Sequence, residues 1–409
     1  MKKTWRPVPP YHILALLVLS HTLYLHSALP SPHPALVLTG IDVLEAENFA
    51  RLDGKHVGLI TNRSGTNRTG KSTVDLLLGA PNLKMVALFS PEHGLFSDVE
   101  HKVASFVDPR TSLPVFSLYG ETQRPTPEML QGIDTLVFDI QDVGVRFYTY
   151  ITTMAYAMEA AAKANIEFMV LDRPNPINGV DVEGPILDST RLSFTGYFPL
   201  PVRHGMTVGE LARLFNEENK LGGNLKVVRM EGWKRGYWFD DTGLPWINPS
   251  PNIRNLNEAT LYPAIGLLES TNLSVGRGTA TPFEVFGAPW INASQLVRSL
   301  NKRKIPGVKF KPLHFTPEAD RYEAKRCHGA KIIIMDRHRF RPVTCGLEIA
   351  RVLCLLYPRR FQSEKLLNLV GSEEVVKRIR EGRPLQQILE VYQPQLQAFL
   401  ALRKNYLDY

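Results

Sequence analysis

Cysteine is scarce in this sequence: three residues in 409, which close at most one bridge and exclude a disulfide-built scaffold. Charge is modest at 22% Asp, Glu, Lys and Arg, and no low-complexity stretch interrupts the chain, so disorder is excluded as the main state. No internal repeat is present, which argues against a solenoid or propeller. After residue 34 no apolar run is long enough to span a bilayer. No G-x-G-x-x-G follows the first predicted strand, so the dinucleotide fingerprint is missing. The zinc patterns are missing too: His93, Asp98, Glu100 and His101 lie close together, but at neither H-E-x-x-H nor Cys/His spacing. Neither a metal nor a cofactor is therefore expected. What the chain does have is apolar mass, with 44% hydrophobic residues, 19 Phe, 14 Tyr and 5 Trp, enough for a sizeable core and, at this length, two domains.

The first 34 residues stand apart. Lys2, Lys3 and Arg6 precede an apolar stretch from Ile13 to Leu19, extended by Leu23 to Leu25, and Ser27-Ala28-Leu29-Pro30-Ser31 follows. A basic start, an apolar centre and small residues before a Pro-rich exit read as a secretory signal, with an uncleaved anchor as the alternative. The expected location is periplasmic or extracellular, with no stable membrane span after cleavage. The net charge of +8 divides unevenly: residues 301 to 409 hold 22 basic and 11 acidic residues, whereas residues 35 to 300 hold 23 and 29. A basic half following a mildly acidic one suggests steering toward anionic fragments rather than nucleic acid.

From residue 41 onward, short β-branched runs alternate with helical stretches. Strands are predicted over His56–Thr61, Lys84–Phe89, Leu113–Leu118, Thr135–Ile140 and Glu167–Leu171, with helices over Thr73–Leu78 and Tyr150–Ala164. Nearly continuous apolar strands alternating with helices indicate a parallel sheet covered on both faces. The expected class is α/β: a Rossmann-like, doubly wound, mostly parallel sheet in residues 35–245, followed by a smaller α/β domain in 246–409 that closes the cleft. Ligands of such sheets bind beyond the carboxyl ends of the strands. Those ends carry Asn62-Arg63-Ser64, Ser90-Pro91-Glu92-His93-Gly94, Tyr119-Gly120-Glu121, then Asp139, Gln141, Asp142 and Arg146, and finally Asp172-Arg173-Pro174-Asn175. Five polar groups at one end of one sheet point to an active cleft.

One motif competes with that reading. Gly65-Thr66-Asn67-Arg68-Thr69-Gly70-Lys71-Ser72 matches the phosphate loop G-x-x-x-x-G-K-S/T, lies between a predicted strand and a helix, and has Asp139 as a candidate Mg²⁺ ligand. Against it, Asn62-Arg63-Ser64 separates the loop from the strand end, and an exported protein meets little ATP. The competing readings are a P-loop hydrolase and a surface turn leading into a helix capped by Ser72 or Thr73.

The blocks Gly58-Leu59-Ile60-Thr61-Asn62, Ser90-Pro91-Glu92-His93-Gly94, Val137 to Tyr150, Leu171 to Pro176, Arg203-His204-Gly205-Met206-Thr207, Ser250-Pro251-Asn252, Asn272 to Thr279 and Pro282 to Trp290 carry a resemblance from about Gly40 onward. The chain resembles the NamZ-type exo-β-N-acetylmuramidases, peptidoglycan hydrolases. The resemblance implies hydrolytic removal of β-linked N-acetylmuramic acid from the non-reducing end of peptidoglycan-derived glycans, in a cleft between a Rossmann-like domain and a smaller one. The segment Pro317 to Glu323 departs from the family pattern and puts rim contacts in question. A peptidoglycan-binding protein without turnover is the non-enzymatic alternative.

Glycoside hydrolysis needs an acid for the leaving oxygen and usually a second carboxylate. Glu92 is the candidate acid, with His93 beside it. Asp139, Asp142, Asp172, Glu269 and Glu284 are candidates for the second carboxylate, with Asp139 placed in the catalytic set. The lactyl carboxylate of muramic acid asks for a fork-shaped cation, and Arg63, Arg146, Arg173 and Arg277 are the candidates. Asn62, Ser64, Gln141, Tyr148, Tyr150, Asn175, Asn252 and Asn272 complete the expected substrate-binding set. Cys327, Cys345 and Cys354 read as buried small hydrophobes, although Cys327 with Cys345 could bridge in an oxidising compartment.

Overall fold

The computed structural model describes residues 36–98 and 100–409, together with Met1, Lys2 and Thr4. The secretory segment read from residues 1–34 lies outside the described residues apart from those three, and no described helix is long and apolar enough to cross a membrane. From residue 36 onward the chain packs as one compact unit. Its strands are β1 (His56–Thr61), β2 (Lys84–Ser90), β3 (Phe106–Val107), β4 (Pro114–Ser117), β5 (Thr135–Asp139), β6 (Glu167–Leu171), β7 (Glu183–Ile186), β8 (Pro201–Arg203), β9 (Leu225–Val228), β10 (Val285–Ala288), β11 (Val308–Phe315) and β12 (Cys327–Ile334). The helices are α1 (Gly40–Ala46), α2 (Thr73–Leu78), α3 (Tyr150–Lys163), α4 (Val208–Glu218), α5 (Leu256–Ile265), α6 (Ala293–Lys302), α7 (Pro342–Leu356), α8 (Leu367–Val370), α9 (Glu373–Arg380) and α10 (Leu385–Arg403).

The main sheet runs β3-β4-β2-β1-β5-β6-β9, parallel throughout except for the edge strand β3. Strand order reverses between β1 and β5, which makes the sheet doubly wound. Alternate residues face opposite layers, as the two-residue period of a strand requires. Ile60, Phe89, Phe138 and Val170 join the large core with α3 and α4. Leu59, Leu88, Val137 and Leu171 join a second core with α1 and α2. A smaller antiparallel sheet, β10-β12-β11, and a β7-β8 ribbon complete the architecture. The sequence pattern located the parallel strands within a residue or two, but it did not reveal β7, β8, β10 or β11. Those strands are short or interrupted by Gly and Pro, and their pairing depends on partners distant in sequence. All three cysteines are buried and free, so the bridge allowed for Cys327 and Cys345 is not formed.

Two buried charges hold loops in place. The Arg146 guanidinium donates to the carbonyls of Pro185 and Leu200 through Nη1, at 3.0 and 2.9 Å, and to those of Leu369 and Val370 through Nη2, at 2.5 and 3.0 Å. It therefore ties the β7–β8 ribbon to α8, and burial lowers its pKa to about 9. Asp172, just beyond β6, accepts from the amides of Arg173 and Gly209 and from the hydroxyls of Thr207 and Tyr409. It fixes the C-terminal residue against the sheet. Burial, only partly offset by these donors, pushes the Asp172 carboxyl up to about 7.

Two predictions follow from these charges. Arg146→Met leaves four buried carbonyls short of a charged donor and is expected to cost about 3 kcal/mol or more; a urea unfolding curve shifted by less than about 1 kcal/mol would refute this. For Asp172 the folded-state pKa is the raised one, so its contribution is complete below an ordinary Asp value of about 4 and is lost as the pH climbs through about 7. Asp172→Asn is thus expected to flatten the fall in thermal midpoint across that window, and parallel wild-type and variant profiles would contradict the assignment.

Candidate active site

A cleft of about 330 Å³ opens at the carboxyl ends of β2 and β4, on the side where the chain after residue 250 packs. Glu92 enters it on a tight turn. His93 has φ +71° and Gly94 φ +74°, and the Gly94 amide donates to the Pro91 carbonyl at 3.0 Å. A left-handed conformation at a non-glycine residue is sterically costly and persists where the surroundings enforce it. Thr149, at the N-terminus of α3, does not cap its own helix; its hydroxyl instead donates to Glu92 Oε2 at 2.5 Å. Tyr119 faces the same carboxylate. Its burial, together with a hydrogen bond to Glu92, pushes the phenol up to about 12.

Glu269 and Arg277 also line the cleft. Arg277 Nη1 donates to Glu269, Nη2 lies 2.5 Å from Glu100 Oε2, and Nε lies 2.9 Å from Asp320 Oδ2 without hydrogen-bond alignment. Burial raises the Glu269 pKa by more than Arg277 lowers it, and the charges of Asp320 and Glu92 add to the rise. Burial opposes the charge on Arg277, but its three carboxylate neighbours outweigh that and raise its pKa. The departing segment Pro317 to Glu323 is thus part of the rim, since it supplies Asp320. Gly278 lets it come close, because a Cβ there would run into the Ala319 backbone. Tyr148 and Tyr262 line the cleft edge to face, with ring centres 5.8 Å apart.

Of the residues singled out from sequence, Glu92, His93, Tyr148, Asn252, Glu269 and Arg277 line this cleft. The others are held elsewhere. Asp139, expected to be catalytic, is fully buried and gripped by Arg173, with Nε to Oδ1 at 2.5 Å and Nη2 to Oδ2 at 2.8 Å, and by the Thr73 hydroxyl. Both of its oxygens are engaged, and Arg173 is correspondingly occupied. Arg146 spends its donors on carbonyls, as described above, and Arg63 is exposed outside the cleft lining. Asp142 accepts from the Gly144 amide at 2.6 Å, Gln141 donates to the Asp142 and Pro174 carbonyls, and Asn175 donates to the Met206 carbonyl. Asp172 anchors Tyr409. Asn272 ties down the Arg360 carbonyl and the Gln362 amide, and Glu284 pairs with Asn257 and Lys331. Asn62 and Tyr150 both donate to the Pro249 carbonyl, at 3.1 and 2.6 Å, while Ser64 links Asn62 to the Gln141 amide. These residues steer the loop that delivers Ser250 and Asn252 to the cleft without lining it. Sequence reasoning missed Thr149, Glu100 and Tyr262 as wall residues. Thr149 lay within a motif block, but its side chain's orientation leaves no local signature.

The phosphate-loop reading fails on its own amides. Asn67 Oδ1 accepts from the Thr69 and Lys71 amides, Asp42 takes the Arg68 amide, and the Asn67, Gly70 and Thr73 amides go to backbone carbonyls. A phosphate cradle needs those N–H groups turned outward together. The segment is instead a turn ending in Ser72, which caps α2 by accepting from the Asp75 amide.

Residues 57–257 match the N-terminal model, and residues 260–409 the C-terminal model, of the exo-beta-N-acetylmuramidase NamZ family. The chain is 47% identical over 378 residues to the peptidoglycan beta-N-acetylmuramidase NamZ of Bacillus subtilis, covering 91% of each. Crystal structures of two DUF1343 family proteins from Bacteroides fragilis superpose on it. One has a TM-score of 0.85 at 40% identity and covers 92% of this chain and all of its own. The other has a TM-score of 0.75 at 32% identity and covers 91% of this chain and 99% of its own. With both family models matched in order and this relative aligned along nearly its whole length, the chain belongs to the exo-β-N-acetylmuramidase NamZ family.

Proposed function

We propose that this protein hydrolyses the β-glycosidic bond of an N-acetylmuramic acid residue at the non-reducing end of peptidoglycan glycan fragments, with Glu92 as the general acid. The observation that carries this reading is the placement of Glu92: on a strained turn, held by Thr149, in a cleft that Glu269 also lines. Thr149 orients Oε2, and the protonated carboxyl gives its proton to the leaving oxygen as the bond to the anomeric carbon breaks. Glu269 is the carboxylate available to the positive charge that develops on the sugar ring, and water completes the product. Among the expected second carboxylates, Asp139, Asp142, Asp172 and Glu284 are committed to other partners and absent from the cleft lining. The cleft volume, near the lower end of the ~300 to 1,000 Å³ range of small-ligand sites, suits one terminal sugar rather than a long glycan. Export fits the basic and apolar N-terminal segment, and a role in trimming or recycling wall fragments fits an enzyme that acts on chain ends.

Glu92→Gln is expected to lower kcat on a muramyl-glucosamine disaccharide by about 10²- to 10⁴-fold, with little change in thermal midpoint. The loss on a nitrophenyl muraminide should be smaller, because that leaving group needs less protonation; equal losses on both would show that Glu92 is not the acid. Glu269→Gln is expected to slow both substrates alike, since the ring charge develops whatever the leaving group, and full activity would remove it from the mechanism. Lys71→Ala should leave turnover unchanged, as the loop around it holds no phosphate cradle; loss of turnover with an intact fold would reopen that question.

A further inference from the structure

Muramic acid differs from glucosamine by a lactyl ether ending in a carboxylate, so a selective site must offer donors to that group. Among the described residues lining the cleft, Arg277 is the one Lys or Arg. Its Nη2 and the Asn252 side-chain amide converge on a single carboxylate, that of Glu100: Asn252 Nδ2 donates to Oε1 at 2.5 Å and Arg277 Nη2 to Oε2 at 2.5 Å. Two donors from separate loops, one for each oxygen, form a receptor for a carboxylate.

The present occupant is loosely held. The Glu100 side chain is 43% exposed, against 27% for Arg277. Ion pairs at such exposure contribute little, so Glu100 leaves at small cost. Charge balance makes its departure necessary. Glu100, Glu269 and Asp320 already surround one guanidinium, and a further anion would add repulsion. Replacing one carboxylate by another leaves the local charge unchanged.

We infer that Arg277 and Asn252 form the receptor for the substrate's lactyl carboxylate, and that Glu100 occupies it as an exchangeable stand-in which the substrate displaces. The inference rests on the muramidase reading of the site and adds the element that selects muramic acid over glucosamine. Glu269, hydrogen-bonded to Nη1 and more shielded than Glu100, stays on the guanidinium during the exchange and keeps it oriented.

The test is calorimetric binding of N-acetylmuramic acid, its lactyl amide and N-acetylglucosamine to the full chain, in wild-type, Glu100→Gln and Arg277→Gln forms. Wild type should bind the acid about tenfold more tightly than the amide or glucosamine. Glu100→Gln, an exposed and structurally mild change, should tighten the acid about two- to fivefold and leave the two neutral ligands unaltered. Arg277→Gln should abolish the preference. If Glu100→Gln weakens the acid or leaves it unchanged, or if wild type binds acid and amide alike, the inference is overturned. Hydrolysis of a muraminide by wild type alongside such a result would overturn this inference alone, whereas hydrolysis of neither muraminide nor glucosaminide would overturn the functional reading.

Discussion

The buried fork between Arg173 and Asp139 sets where this enzyme can work. In a doubly wound sheet the natural crevice lies where strand order reverses, here between β1 and β5. Asp139 closes β5 at that point, and Arg173, two residues past β6, reaches across with two parallel hydrogen bonds and a third to the Thr66 carbonyl. A bidentate guanidinium–carboxylate pair removed from water holds its geometry tightly, and breaking it by losing one partner strands a buried charge. The segment Leu244 to Ile247, with Trp246, covers what is left, a space of about 20 Å³, or roughly one water. The switch point is therefore plugged.

Closing that crevice moves the chemistry sideways. The covering segment continues to Pro249, whose carbonyl Asn62 and Tyr150 hold over the sheet end, and from there the chain delivers Ser250 and Asn252 to the wall of the cleft beside β2 and β4. Arg146 performs the same service from below, fixing the backbone of Leu369 and Val370, and Leu369 also lines the cleft. Much of the polar wealth at the strand ends thus serves position rather than contact. It turns flexible loops into a rigid frame around Glu92, the proposed general acid, which must meet the leaving oxygen within hydrogen-bond reach.

Within that frame the electrostatics are one-sided. A single guanidinium faces Glu269, Glu100 and Asp320, with Glu92 nearby, so the cleft carries more negative charge than its one arginine cancels. Burial keeps Glu269 above the usual carboxylate range. The wall residues also differ in exposure: Glu269 and Arg277 are largely shielded, whereas Glu100 and Asp320 are more open to water.

Much of this was legible in the sequence, for identifiable reasons. Apolar strands with alternating burial and helices without internal Gly or Pro announce themselves locally, so β1, β6 and α2 fell where their residues predicted. Ser90 to Gly94 marked Glu92 as a cleft residue, because Pro and Gly around a carboxylate after a buried strand describe an exposed turn. The phosphate-loop letters misled because eight residues specify a composition but not the direction of their amides, which Asn67 and Asp42 turned inward. Asp139, Arg173, Arg146 and Asp172 read as site residues because a strand end looks the same from sequence whether its side chain faces a ligand or another strand's loop. The sequence by itself determined the layers, the strand phases and the turn that presents Glu92, since these depend on neighbours within a few residues. The tertiary structure alone decided which carboxylates share the cleft, which arginine is left for a substrate, and that the switch point is closed, because each depends on contacts between residues 34 to 224 positions apart.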